Sequence, residues 1–310
     1  LSQNGGSYSK KAQKALVKIS TRAKYQVVDS LTGQYAITAL CHYLGISRSG
    51  YYSWIKKNRP LTKSWNSQLA EKIQLLFDAS FKGYRYIWMQ LKRLYDISVN
   101  PKTVLRYMQV LGLKSPIRKK RFISCTRQEM NKKARKVSPN LLARHFVATR
   151  PHEKLVTDVS YVYHKQGRLY LSIIKDLYDN SILAYNLSKF NDNQLVFENL
   201  DLVFRKDWDK SKSCLLHSDQ GFQYTNKQYH KKLETFNVTV SHSRKGNCYD
   251  NACCENFFSH LKSESLELFV PENETELMQQ IDDFIAWYNF DRPQLKLKGM
   301  TPIEYRQTYL

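Results

Sequence analysis

The sequence predicts an α/β protein: a mixed five-stranded sheet with flanking helices in the second half, preceded by small all-helical domains. Three observations predict it. The apolar spacing changes from helical to alternating at Leu155, the positive charge is confined to the first half, and three acids fall on two strand-like runs and one helical run. Those acids are Asp158, Asp219 and Glu255, with 35 residues between the last two.

At 310 residues the chain is long enough for two or more domains, and 42% apolar content marks it as globular. No apolar run approaches the roughly 18–20 residues of a membrane span, and no apolar leader opens the chain, so no membrane association is expected and the expected location is cytoplasmic. Residues 1–150 hold 30 basic and 5 acidic residues, a net of +25; residues 151–310 hold 19 and 22, a net of −3. Charge of that size over one half fits a polyanion, because each cation that neutralises a phosphate releases counterions. The six cysteines form no C-x-x-C pair; Cys248, Cys253 and Cys254 with His242 have no usual zinc spacing and are expected as small apolar packing residues.

In chain order, residues 1–30 are basic and weakly patterned and are expected to be a flexible or partner-dependent lead-in. Residues 31–60 predict a helix-turn-helix, with Ala36, Leu40 and Tyr43/Leu44 on one face, Gly45 at the turn and Ser47 capping the second helix. Residues 61–113 predict a second helical DNA-binding domain of three helices. Its last helix opens with Asn100 as N-cap and Pro101 at the first position, and displays Lys102 and Arg106 four apart where a recognition helix would. Residues 114–150 predict a basic linker along a phosphate backbone, with Arg118, Lys119, Lys120 and Arg121 in one of its densest runs.

From Leu155 onward the pattern predicts strands at 155–163, 168–176 and 182–187 as an antiparallel meander. A helix around Val196–Phe204 follows, then a buried parallel strand at 214–217, a helix at 225–235 and a strand at 237–241. Helices carrying Glu255 and spanning 274–289 close the pattern. Acids on the first and fourth strands of such an order describe a ribonuclease H-like fold over 151–310. Asp158 is preferred over Asp176, since a mid-strand charge needs a reason; Asp219 ends its strand where open sheets place ligands. Asn251, Glu255, Ser259 and Lys262 share a helical face, putting Lys262 about two turns (roughly 10 Å) past Glu255. Arg244 and Lys245, in the loop leading into this helix, are further candidate DNA contacts.

Three carboxylates brought together in this way suit hard divalent cations, and two such ions can clamp the attacking and leaving oxygens of an in-line phosphoryl transfer. The residues thus point to cutting and joining DNA. A non-catalytic DNA-binding regulator on the same fold is the alternative. A ribonuclease H would call for a fourth carboxylate and no long basic half.

The phrases Gly83-Tyr84-Arg85, Asn140-Leu141-Leu142, Thr157-Asp158, His217 through Tyr224, Asp250-Asn251-Ala252, Glu255, Tyr288 through Pro293 and Thr301-Pro302 resemble the second-frame (OrfB) transposases of the insertion-sequence-three family, relatives of retroviral integrases. The resemblance implies that Asp158, Asp219 and Glu255 are catalytic and bind two Mg²⁺ ions, with Mn²⁺ as a substitute, and that Lys262 is the basic residue after the Glu. It further implies hydrolysis at element ends and strand transfer by a 3′-hydroxyl. The implied partners are double-stranded DNA (terminal repeats and target), further copies of this chain on that DNA, and a first-frame (OrfA) product or fusion, in a bacterial nucleoid. Residue 1 is Leu rather than Met, which suits a downstream frame. The chain departs from the family pattern at Leu155, Cys253-Cys254 and Gln294, outside the triad.

Overall fold

A computed structural model describes residues 20–56, 65–117 and 136–310. Arg118, Lys119, Lys120 and Arg121, with most of the basic linker, lie outside the described residues. The described chain forms two compact units. The smaller takes the residues through Ser80 and Ser98–Lys114; the larger takes Phe81–Ile97 and Ser115–Leu310.

The smaller unit begins with a helix where the sequence reads as a lead-in. Helix α1 (Thr21–Leu31) is capped by Ser20, whose hydroxyl accepts from the Ala23 N–H. It forms because Tyr25 and Val28 find apolar partners in α2 (Ile37–Leu44) and α3 (Arg48–Lys56). Gly45, at φ 62°, makes the left-handed turn between α2 and α3, and Ser47 accepts from the Gly50 N–H as the predicted cap. The expected apolar face needs correction: Ala36 precedes the helix as its N-cap and is exposed, Tyr43 is 70% exposed, and Cys41 is buried with Leu44. Helices α4 (Ser67–Ser80) and α6 (Pro101–Val110) meet through Trp65, which stacks on Tyr107 at 4.7 Å. Asn100 caps α6 as predicted, and Lys102 and Arg106 are exposed opposite Val104, Tyr107 and Met108. Helix α5 (Tyr84–Tyr95), the middle one of the expected three, groups with the larger unit.

The larger unit is built on a five-stranded sheet in the order β3-β2-β1-β4-β5. Strands β1 (Lys154–His164), β2 (Gly167–Asp176) and β3 (Ile182–Ser188) form the antiparallel meander; β4 (Cys214–Ser218) and β5 (Val238–His242) add in parallel. One face packs α7 (Asn193–Val203) and α8 (Lys227–Glu234) against Leu155, Ile174 and Leu216. The other packs α9 (Ala252–Leu261) and α10 (Glu274–Phe290) against Val156, Val162 and Ile173. In α10 the inward residue is Leu277 rather than the expected Met278, which is 43% exposed. A last helix, α11 (Pro302–Tyr309), which the apolar pattern does not reveal, is fixed by a capping box between Thr301 and Glu304. The sheet order and its two helical layers are those of the ribonuclease H-like fold.

Candidate active site

Strand register brings the first two acids together. In the parallel β1–β4 ladder Val156 pairs with His217; two residues further along the chain come Asp158, within β1, and Asp219, one residue past the end of β4, near enough for its charge to act on Asp158. The third acid arrives on α9, which is pinned to β1 on either side of Glu255. The Asn251 side chain donates to the Thr157 carbonyl at 3.5 Å, and Lys262 Nζ donates to Ser160 Oγ at 2.8 Å. Cys254, Phe257, Phe258 and Leu261 are buried on the opposite side of α9, which turns Glu255 outward. At the end of α9 the backbone widens into a π-turn, Lys262–Leu266, whose first residue also lies over the Tyr161 ring at 4.8 Å.

The electrostatics follow from this crowding. Burial pushes the Asp158 carboxyl up to about 8, the Asp219 and Glu255 charges add to the rise, and the Val159 N–H and Lys262 oppose it. Burial also raises Asp219, against the Gly221 N–H donated to Oδ1 at 2.8 Å. Lys262 is lowered by burial, with Asp158 pulling the other way. Among the described residues no three His, Cys, Asp or Glu side chains stand close enough, as placed, to hold a metal ion. The donor chemistry nevertheless suits a hard cation: Asp219 and Glu255 both act on the buried Asp158 carboxyl through their charge, a repulsion that a cation would relieve. A buried atom without a hydrogen-bond partner, Asn251 Oδ1, lies on the helix tied to β1 at Thr157, next to Asp158.

Asp176 is removed from this group by register. It opposes Leu155, not Asp158, and lies fully buried. Its carboxylate accepts from the His152 and Tyr178 N–H groups and from Arg306 Nη2 at 2.8 Å, while Arg306 Nε also bonds Asp179.

The surrounding loops are held by polar contacts that sequence reading misses. Ser241 Oγ accepts from the Leu141 and Leu142 N–H groups, so its own proton goes to His217 Nδ1 and His217 donates through Nε2 to Ser243. Buried Asp250 binds Asn140, Arg144 and Arg244, which draws its carboxyl far below the usual range. The Arg244 guanidinium is therefore committed to Asp250, while Lys245 is exposed. A basic residue on each side of a buried acid is the signal that could have found Arg144, but only contact joins positions so far apart in sequence.

Gly221 has a specific reason to be glycine. A Cβ there would stand 2.9 Å from Asp219 Oδ1 and 2.8 Å from Gln223 Oε1. Gly221→Ala is expected to displace the Asp219 carboxyl. It should cost about 1–3 kcal/mol of stability, read by urea unfolding, yet lower strand cleavage by about tenfold or more. Unchanged cleavage would show that the carboxylate does not need this position.

The integrase core domain family matches this chain at residues 148–248 and again at 255–310, and an HTH-like domain family matches residues 64–121. The putative transposase InsK for insertion sequence element IS150 of Escherichia coli (strain K12) is 38% identical over 92% of this chain and 99% of its own length. The chain belongs to the IS150/IS3 family of insertion-sequence transposases. Transposase InsF for insertion sequence IS3fB of the same organism is 30% identical over 78% of this chain and 84% of its own length. Among solved structures, an HTLV-2 integrase catalytic core domain in complex with magnesium superimposes with a TM-score of 0.40 at 13% identity, over 51% of this chain and 98% of that one. The first integrase core match of this transposase-family chain includes Asp158 and Asp219, and the second begins at Glu255.

Proposed function

We propose that this chain is a metal-dependent DNA transposase that hydrolyses a strand at insertion-element ends and joins the freed 3′-hydroxyl to target DNA. The observation that supports the reading is that the Asp219 and Glu255 charges both bear on buried Asp158, while Asn251 and Lys262 tie the helix carrying Glu255 to β1. Asp158, Asp219 and Glu255 would hold two Mg²⁺ ions, with Mn²⁺ able to substitute. When bound, such ions polarise the scissile phosphate and activate the attacking oxygen. The chain's own contribution is positioning and charge. The Gly221 N–H orients Asp219, α9 presents Glu255 from a rigid element, and Lys262 offers an ammonium to a phosphate two turns on. The deciding experiment incubates the protein and labelled element-end DNA with Mg²⁺ and scores nicked and joined products. DNA binding without either product would favour a non-catalytic regulator.

The basic first half, including the run Arg118–Arg121, would hold the DNA through phosphates, with Lys245 and the outer edge of Arg244 adding contacts near the site. The proposed divisions are a basic lead-in over 1–30, overlapped by α1, a helix-turn-helix over 31–60, a second DNA-binding region over 61–113, a basic linker over 114–150, and the catalytic domain from 151. Assembly as several copies on DNA, an OrfA partner and a bacterial nucleoid location belong to the same proposal. If the basic half binds phosphates, log affinity should fall with log salt by about 0.9 for each phosphate neutralised. A flat salt dependence of the full chain would overturn this division of labour.

For α6, the expected result is sharper. Replacing Lys102 and Arg106 together with Ala should weaken binding to element ends by about 1–3 kcal/mol more than binding to random DNA, measured by competition. An equal loss on both DNAs would make them phosphate contacts.

A further inference from the structure

The larger unit contains a cavity that the candidate active site does not use. It lies among the start of α5, the π-turn after α9 and the segment following α10, with a volume of about 570 Å³. That is within the range of roughly 300–1,000 Å³ found for small-molecule sites.

Glu264 organises its floor. Lys82 donates to this carboxylate at 2.5 Å, His260 Nδ1 at 2.6 Å and Arg292 Nη2 at 2.9 Å. Lys82 also lies over the Trp287 ring at 3.8 Å. These partners hold Glu264 ionised, so it is spent inside the floor. It is also the one carboxylate among the lining residues, against Lys82, Arg85, Arg292 and Lys296. One acid facing four cations leaves a positive cavity, and the occupant it favours is an anion.

Two further features narrow the anion. Tyr84 and Tyr86 line the wall, and the Arg85 guanidinium lies 5.4 Å from the Tyr84 ring centre, an aromatic surface of the kind on which a base stacks. Gln294 also lines the cavity. Its Oε1 accepts from Asn180 at 3.1 Å, which leaves a buried Nε2 with no acceptor among the described residues. An unsatisfied buried donor is costly, and an oxygen of a ligand would relieve it.

We propose that this cavity takes one nucleotide displaced from the DNA stack, with its phosphate between Arg85 and Lys296, its base against Tyr84 and an acceptor oxygen on Gln294. The inference rests on the reading of the chain as a DNA-processing protein. It assigns to the Gly83-Tyr84-Arg85 phrase a single-strand contact. Arg85 and Lys296 are exposed and neither bonds Glu264, Lys296 Nζ donating to the Phe146 carbonyl at 3.2 Å with protons to spare, so changing them leaves the Glu264 floor intact.

The test uses the full chain, a short 5′-phosphorylated oligothymidylate, a blunt duplex, and a duplex with an unpaired flap, with affinity read by fluorescence anisotropy. Arg85→Gln with Lys296→Gln, and separately Gln294→Glu, should weaken binding to the oligonucleotide and the flap by about tenfold while blunt-duplex binding changes by less than about twofold. Thymidine 5′-monophosphate should compete with the oligonucleotide at the parent protein, and thymidine should not. Equal losses on all three DNAs, no loss on any, or failure of the monophosphate to compete would overturn the inference while leaving the proposed function standing. A parent protein that binds none of the three would overturn both.

Discussion

Asp158→Asn, Asp219→Asn and Glu255→Gln are each expected to abolish end cleavage and strand joining while leaving DNA affinity nearly unchanged. Each substitution keeps shape and hydrogen bonding but removes one negative charge from a donor set whose use is to hold divalent cations. The loss should therefore exceed the ~10–100-fold typical of removing a group that merely supports a metal ligand. Mn²⁺ should support the parent protein, and Ca²⁺ should permit binding with little chemistry. Cleavage, joining and binding are measured on the same labelled element-end DNA. A Glu255→Gln protein that cuts normally would remove the third ligand and with it the two-metal reading. A dead Asp176→Asn protein beside an active Asp158→Asn one would reverse the choice of first-strand acid, although register places Asp176 opposite Leu155 and away from the site.

The second large effect is on stability. Arg306, at 20% side-chain exposure, bonds two fully buried carboxylates, Asp176 and Asp179, and also donates to Ser181. Arg306→Ala leaves both charges without their cation, a change that costs about 3–5 kcal/mol in comparable buried pairs. The loss should appear as a lower urea midpoint at neutral pH. Its pH dependence has a definite sign. Burial already pushes Asp176 up to about 6 from 3.8, with Arg306 opposing the rise, so the folded state binds a proton more readily than the unfolded chain. Removing Arg306 raises that value further. The deficit of the variant should therefore be full only above its raised Asp176 value, shrink as the pH falls from there to about 6, and stay level below, where both folded proteins hold the proton. A deficit that grows on acidification would show that Arg306 acts by packing α11 rather than by pairing charge.

Much of the larger unit was legible because its elements are set by local pattern. Alternation in 155–163 and the continuous apolar run 214–217 predicted β1 and β4 to within a residue at each end, and the apolar stripe of Cys254, Phe257, Phe258 and Leu261 predicted which side of α9 is buried. The helix Thr21–Leu31 was not legible. Its own pattern is weak, and it is held by Tyr25 and Val28 packing against residues of α2 and α3. The same holds for α11, where a capping box and Arg306 do the work that an apolar stripe does elsewhere.

The sequence by itself determined the strand order of the meander, the acids worth suspecting and the separation of basic from neutral halves, because period, turn residues and charge are local properties. The tertiary structure decided which residues meet. Strand pairing, and not spacing, brought the end of β4 and Asp219 towards Asp158 and set Asp176 opposite Leu155, where Arg306 meets it. Contacts across about a hundred residues or more tied Arg144 to Asp250 and Lys82 to Glu264. Such pairings depend on how strands align and helices dock, and a buried charge accepts whichever partner the packed chain brings within hydrogen-bond reach.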